Sequence, residues 1–209
     1  MTSISAFQTT RKISQIKDGA YDKDINPVLG TEEIKTGTKM GMDSHADTTC
    51  VNKHAFIESV IEGLTVDSIP FDDSIGKMSN LPIVHAIYAY DDPESLKTFL
   101  LRFNNAIYIK NMKNALLCPN QAREHDTILD DVPPHLDHTG QSTFSVSTPE
   151  HTFHIQQHGP TACLQLHSPT NEEMENLNII DITDEHEWKP YNESHRSNGD
   201  HFSMLTTTV

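Results

Sequence analysis

The sequence has few cysteines and no long apolar run. Its three cysteines, Cys50, Cys118 and Cys163, are odd in number and widely spaced, which argues against a disulfide framework and favours a reducing compartment. No apolar run approaches the roughly 18 residues that a membrane-spanning helix needs, and the N-terminal sequence MTSISAFQTTRK lacks the apolar core of a secretion signal. We therefore expect a soluble, cytoplasmic protein without membrane contact.

Basic residues are also scarce. The chain has 15 Lys and Arg against 30 Asp and Glu, which gives a formal net charge of -15. A phosphate-binding surface needs clustered basic side chains, so nucleic acid is not expected as a direct ligand. Histidine, in contrast, is abundant. Protonation of all 13 histidines would offset most of the negative charge, so the net charge depends strongly on pH between roughly 5 and 7.

Short apolar stretches predict an all-β fold. Residues 38–42, 64–69, 81–90, 96–103 and 106–109 have the alternation or the β-branched content of strands, with a hairpin-like break predicted at Asn104-Asn105. Pro119 favours a short helix directly after Leu116-Leu117. Thr170 and Glu173 have the spacing of a capping box and predict a second helix.

The composition divides the chain into four segments. Residues 1–35 are expected to be a loosely ordered lead-in, and 36–128 a β-domain. Residues 129–190 are expected to form an extension of strands and loops, with a short helix near 170–177. The polar residues 191–209 are expected to be a disordered tail.

The most informative motif is MDSHADTTCV at residues 42–51. An apolar strand ends in an aspartate, followed by a small hydroxyl residue, Ala-Asp and threonine, before apolar residues resume. Two carboxylates about 3 Å apart cannot both ionise, so they share a proton and divide the roles of acid and base. The sequence has one such motif. A dyad therefore requires two chains related by a two-fold axis.

This motif resembles the catalytic loop of retropepsin-like aspartic proteases, whose pattern is apolar-Asp-Thr/Ser-Gly-Ala-Asp-x-Thr. His45 stands at the glycine position. Residues 105–121, NAIYIKNMKNALLCPNQ, resemble the segment of copia-type retrotransposon polyproteins in which a strand pair leads to an apolar pair and a glutamine. The resemblance covers roughly residues 36–190 and points to the branch that carries Asp-Ser-His-Ala-Asp.

The resemblance implies a retropepsin-like half-barrel with one short helix, acting as a homodimer that cleaves its own polyprotein, in the cytoplasm or in virus-like particles, without a cofactor or metal. Asp43 would be catalytic, and Ser44 would brace the dyad across the dimer axis. Ala46 and Asp47 would bind substrate. The loop of Asp43 and the strand of Leu117 should lie side by side. The residues with implied structural roles are Thr49, Leu116, Leu117 and Asn120.

Two alternatives remain open. The first is a polyprotein fragment that keeps the fold but has lost catalysis and serves in structure or assembly. The second is a metal-binding module, because Asp43, His45 and Asp47 alternate along the sequence and would share one face of an extended strand. Whether the chain is an enzyme is therefore undecided by the sequence.

Overall fold

Strands dominate the computed structural model, which describes residues 37–68 and 76–190 together with the backbone of 13–15. Up to the first helix the strands are β1 (Ile13–Gln15), β2 (Gly37–Met42), β3 (Cys50–Val51), β4 (Phe56–Ser68), β5 (Met78–Asp91), β6 (Thr98–Tyr108) and β7 (Ala115–Leu117). Then follow α1 (Pro119–Arg123), β8 (Ile128–Asp130), β9 (Ser145–Ser147), β10 (Thr152–His154), β11 (Gln156–His158), β12 (Thr161–His167), α2 (Asn171–Asn176) and β13 (Ile179–Asp181). The predicted all-β class is confirmed. No helix in the described parts is long and apolar enough to cross a membrane.

Ten strands form one main sheet that closes on itself. Neighbouring strands run in the order β1-β4-β5-β12-β2-β7-β3-β6-β13, and β11 pairs with β12. A further pairing of β5 with β6 joins β5, β12, β2, β7, β3 and β6 into a ring. The junction of β5 with β12 rests on a single residue pair, Ala89 with His167. The pairing of β3 with β7 likewise rests on one residue pair, Cys50 with Leu116. Closure leaves few strand edges exposed.

The longest hairpin joins β4 to β5, and its paired register shifts three times along its length. The sequence predicts only the second half of β4, because Glu58, Ser59 and Glu62 interrupt the alternation of apolar residues in the first half. Register shifts explain the difference. An extra residue on one strand reverses the face that the following side chains occupy.

The core consists of one large cluster and two smaller ones. Strand β5 is buried on both faces, which is why its sequence reads as a nearly continuous apolar run. Val84, Ala86, Tyr88 and Tyr90 belong to the main core, whereas Ile83, Ile87 and Ala89 belong to two smaller clusters. The smaller cluster around Ile87 packs against Met174 of α2.

Residues beyond 128 complete the same sheet and core. Strand β12 pairs with β2, and β13 runs parallel to β6. A second sheet of three strands, β10-β9-β8, places Val146 and Phe153 in the main core. The segments predicted as 36–128 and 129–190 therefore share one core, while most of 1–35 and all of 191–209 lie outside the described residues.

The predicted break at Asn104-Asn105 is wrong, because β6 continues through both residues. Both side chains are buried and bond to the C-terminal segment instead of forming a turn. The amide nitrogen of Asn104 donates to the carbonyl of Thr183 at 2.8 Å, and that of Asn105 donates to the carbonyl of His186 at 2.7 Å. Asn105 has a φ of 54°, a conformation that asparagine tolerates better than most residues. The pair marks a kink within a strand.

Both predicted helices are present. Helix α1 begins at Pro119, which has no N–H to leave unsatisfied in the first turn. Helix α2 begins after Thr170 with the complete capping box. The Thr170 hydroxyl oxygen accepts from the N–H of Glu173 at 3.2 Å, and the Glu173 carboxylate accepts from the N–H of Thr170 at 2.8 Å.

Candidate active site

The loop of residues 43–49 connects two strands that are not neighbours, because β7 lies between them. Strand β7 pairs in parallel with β2, with Leu117 opposite Met42, and antiparallel with β3, with Leu116 opposite Cys50. The N–H of Asp43 donates to the carbonyl of Leu117 at 3.1 Å. The predicted proximity of the Asp43 loop and the Leu117 strand, followed by a helix at Pro119, is confirmed.

The carboxylate of Asp43 lies at the start of this loop and is 15% exposed. Its Oδ1 accepts a hydrogen bond from the backbone N–H of His45 at 2.9 Å. The backbone carbonyl of Asp43 accepts from the N–H of Ala46 at 3.2 Å, which closes a tight turn. The loop therefore fixes the orientation of one carboxylate oxygen through its own backbone.

His45 makes its contact with Asp43 through the backbone, while its side chain points outward. The imidazole is 73% exposed, and its Nδ1 lies 3.9 Å from Asp43 Oδ1. His45 is not among the described non-glycine residues with positive φ, so its backbone conformation does not require glycine. Histidine at residue 45 therefore still lets the backbone N–H approach the Asp43 carboxylate. Ser44 is also exposed, with its hydroxyl 3.5 Å from His45 Nδ1.

Thr49 closes the loop and is completely buried. Its N–H donates to Gln121 Oε1 at 2.8 Å, its hydroxyl oxygen accepts from the N–H of Cys118 at 3.2 Å, and its carbonyl accepts from the N–H of Ile107 at 2.8 Å. These bonds join the loop to α1, to the end of β7 and to β6. Both ends of the loop are thereby held by the backbone or by buried polar groups.

Gln121, rather than Asn120, links α1 to the loop. The Gln121 amide nitrogen donates to the carbonyl of Asn104 at 3.0 Å and to that of Asn105 at 3.4 Å. Asn120, which the resemblance assigns a structural role, lies on the exposed face of α1, where its Oδ1 accepts from Arg123 at 3.2 Å. The helix therefore exposes Asn120 and buries Gln121. The glutamine of the Leu-Leu-x-x-x-Gln block is the signal that identifies the buried residue.

The middle of the loop contacts the C-terminal segment. The indole N–H of Trp188 donates to the carbonyl of Asp47 at 2.8 Å, and Trp188 is buried. Ala46 is 4% exposed, so its methyl group packs inward in the single chain instead of facing an open groove. Asp47 is partly exposed. The contact joins residues 141 positions apart, and no sequence pattern identifies Asp47 as the partner of Trp188.

The cysteines near the loop are unsuited to nucleophilic chemistry. Cys50 and Cys118 are buried and are not joined in a disulfide. Burial raises the pKa of the Cys118 thiol to about 11, and the negative charges of Asp47 and Asp43 act in the same direction. A thiol with such a pKa is almost entirely protonated near neutral pH and is therefore a poor nucleophile.

The hypothesis of a metal site at Asp43, His45 and Asp47 assumed an extended strand, but these residues lie in the turn between β2 and β3. Within residues 37–68 and 76–190, one group of three His, Cys, Asp or Glu side chains has its ligand atoms all within 4.8 Å of one another. This group is Asp91, His167 and Glu173. The turn does not bring the three predicted ligands together. The structure places the possible metal ligands elsewhere.

Searches against known protein families, curated proteins and solved structures find no match for this chain. The arrangement of the Asp43 loop must therefore be interpreted from its own geometry.

Replacing Gln121 by Met is expected to lower the free energy of unfolding by about 2–4 kcal/mol, because the N–H of Thr49 and the carbonyls on β6 lose a buried partner. Replacing the neighbouring Asn120 by Ala is the control and is expected to change it by less than about 0.5 kcal/mol. Urea unfolding followed by circular dichroism measures both. Equal effects of the two substitutions would contradict the assigned role of Gln121.

Proposed function

We propose that this chain is one half of an aspartic endopeptidase, in which Asp43 and its copy in a second chain form the catalytic dyad. The observation that carries the proposal is the loop geometry at Asp43. The Asp43 carboxylate directly follows β2 and accepts a hydrogen bond from the N–H of His45 at 2.9 Å. The backbone N–H of Asp43 bonds to the end of β7. This geometry supports a catalytic role for the Asp43 carboxylate.

A single carboxylate does not suffice for the reaction. Hydrolysis of a peptide needs a base that takes a proton from water and an acid that protonates the leaving nitrogen. Two adjacent carboxylates that share one proton supply both functions. The chain carries the motif once, so the second carboxylate comes from a second copy, and a two-fold axis places identical loops opposite each other.

The loop has an exposed tip on which such a copy can pack. The side chains of Ser44 and His45 are exposed, whereas Thr48 and Thr49 at the far end of the loop are buried. In a symmetric dimer the exposed tips would face each other and bring the two Asp43 carboxylates together. Ser44 would then bond across the axis, and the partly exposed Asp47 would contact the substrate backbone.

In the reaction, the ionised member of the dyad takes a proton from the bound water, whose oxygen attacks the peptide carbonyl carbon. The protonated member donates its proton first to the developing oxyanion. As the tetrahedral intermediate collapses, the carboxyl that took the proton from water passes it to the leaving nitrogen, and the carbon–nitrogen bond breaks. A hydroxyl of the intermediate returns its proton to the other carboxylate, which restores the dyad. The products are a carboxylic acid and an amine, and no cofactor takes part. The proposed substrate is an extended polypeptide, in particular the polyprotein to which the chain belongs.

Replacing Asp43 by Asn is expected to reduce peptide cleavage by at least about a thousandfold, because an amide neither shares the proton nor activates water. Incubation with a proteome-derived peptide library, read by mass spectrometry, measures cleavage. Asp131, an exposed aspartate in a loop, offers the control substitution Asp131→Asn, which should leave cleavage unchanged. Absence of cleavage by the native chain, with its circular dichroism intact, would favour the structural or assembly role instead.

Replacing His45 by Gly is expected to preserve cleavage within a factor of about three, since the exposed imidazole contributes little and the backbone N–H that bonds to Asp43 remains. The assay is repeated with a metal chelator. A loss of tenfold or more in the His45→Gly variant, reproduced by chelator in the native chain, would refute the dyad and support a metal at this loop.

A further inference from the structure

A second cluster of chemically reactive side chains lies away from the Asp43 loop, at the junction of β5 and β12. Asp91 ends β5, His167 ends β12, and Glu173 lies in the first turn of α2. Their ligand atoms lie within 4.8 Å of one another. The His167 side chain is 8% exposed, and its Nε2 lies 3.3 Å from Asp91 Oδ2. A buried imidazole therefore faces two carboxylates.

The hydrogen bond on the other ring nitrogen indicates which tautomer His167 adopts. Nδ1 lies 3.0 Å from the carbonyl oxygen of Ser168. Because a carbonyl only accepts, Nδ1 carries the proton in this contact. In the neutral imidazole Nε2 then has a lone pair. Histidines that bind metals are oriented in this way, with the second ring N–H bonded to a carbonyl or carboxylate.

Nε2 of His167 is buried and makes no hydrogen bond. Asp91 Oδ2, at 3.3 Å, is near enough for a hydrogen bond to Nε2, but it lies away from the direction in which an Nε2 proton would point. A cation between the Nε2 lone pair and the carboxylate oxygen would attract both of them. Two ligands of one cation do not point at each other, because each points at the ion. The position of Asp91 Oδ2, to one side of the Nε2 lone pair, is consistent with such a pair of ligands.

We propose that Asp91, His167 and Glu173 bind a divalent transition-metal ion of the zinc class. With ligand distances of about 2.1 Å, a separation of 3.3 Å between nitrogen and oxygen subtends roughly 105° at the ion, near the tetrahedral angle. One imidazole and two carboxylates suit Zn²⁺ better than Ca²⁺ or Mg²⁺, which prefer oxygen alone. A carboxylate movement of the order of 1 Å completes the site and leaves a fourth position for water.

The ion would strengthen one of the two shortest pairings in the closed sheet. Strands β5 and β12 share one residue pair, Ala89 with His167. Helix α2 has six residues, none of them buried. A metal held by one residue from each of these three elements would fasten the helix to the sheet and close the junction. The site does not involve Asp43, so this inference stands independently of the proposed catalysis.

The test uses the full chain, stripped with chelator and titrated with ZnCl₂ by calorimetry. Glu173→Gln is the informative variant, because glutamine at this position keeps the capping box but loses the carboxylate. Asp91→Asn is the second variant, since asparagine still accepts the bond that the Thr98 hydroxyl donates to Oδ1 at 2.6 Å. Glu172→Gln, one residue away and exposed, is the matched control.

The expected result is one Zn²⁺ per chain in the native protein and in Glu172→Gln, with binding at least about tenfold weaker in Glu173→Gln and in Asp91→Asn. Zn²⁺ should also raise the Tm of the native protein and of the control more than that of the two variants. Absence of stoichiometric binding, or equal binding in all four proteins, would overturn the proposal. Nitrogen NMR that shows both His167 ring nitrogens protonated in the presence of Zn²⁺ would overturn it as well.

Discussion

Hydrogen bonding of β7 to two strands at once is the constraint on which the candidate active site depends. Three residues, Ala115–Leu117, pair with β2 on one side and with β3 on the other. The chain between β2 and β3 must therefore pass around the end of β7, and the N–H of Asp43 bonds to the last carbonyl of that strand. Backbone pairing, rather than the identity of each loop residue, fixes the position of the carboxylate. This explains why histidine is tolerated at residue 45.

Buried amides extend this constraint to the rest of the fold. Gln121 joins the loop at Thr49 to the kink in β6, and Asn104 and Asn105 join the kink to the segment after β13. Each of these amides is buried with its partners satisfied, so the loss of one leaves a buried polar group unpaired. The C-terminal segment in turn reaches back to the loop through Trp188 and Asp47. The loop, the kink and the C-terminal segment therefore support one another.

The sequence predicts the local features well and the long-range ones poorly. The motif at Asp43, the proline at the start of α1 and the capping box of Thr170 are local patterns with local causes, and each identifies its element. The pair Asn104-Asn105 predicts a turn, because asparagine pairs favour turns. In the structure the two side chains instead donate to carbonyls that are distant in sequence, and the strand continues. The cluster of Asp91, His167 and Glu173 has no sequence pattern. Its members meet only because β5 and β12 end, and α2 begins, at the same place.

The central claim is that two Asp43 carboxylates, one from each chain, act together. Mixing tests it directly. Native chain and the Asp43→Asn variant are mixed in equal amounts and allowed to exchange subunits, at the same total concentration as native chain alone. If each active unit needs two native chains, about one quarter of the dimers remain active, and cleavage falls to about one quarter. Cleavage at one half of the native rate, as expected when each chain acts alone, would contradict the account.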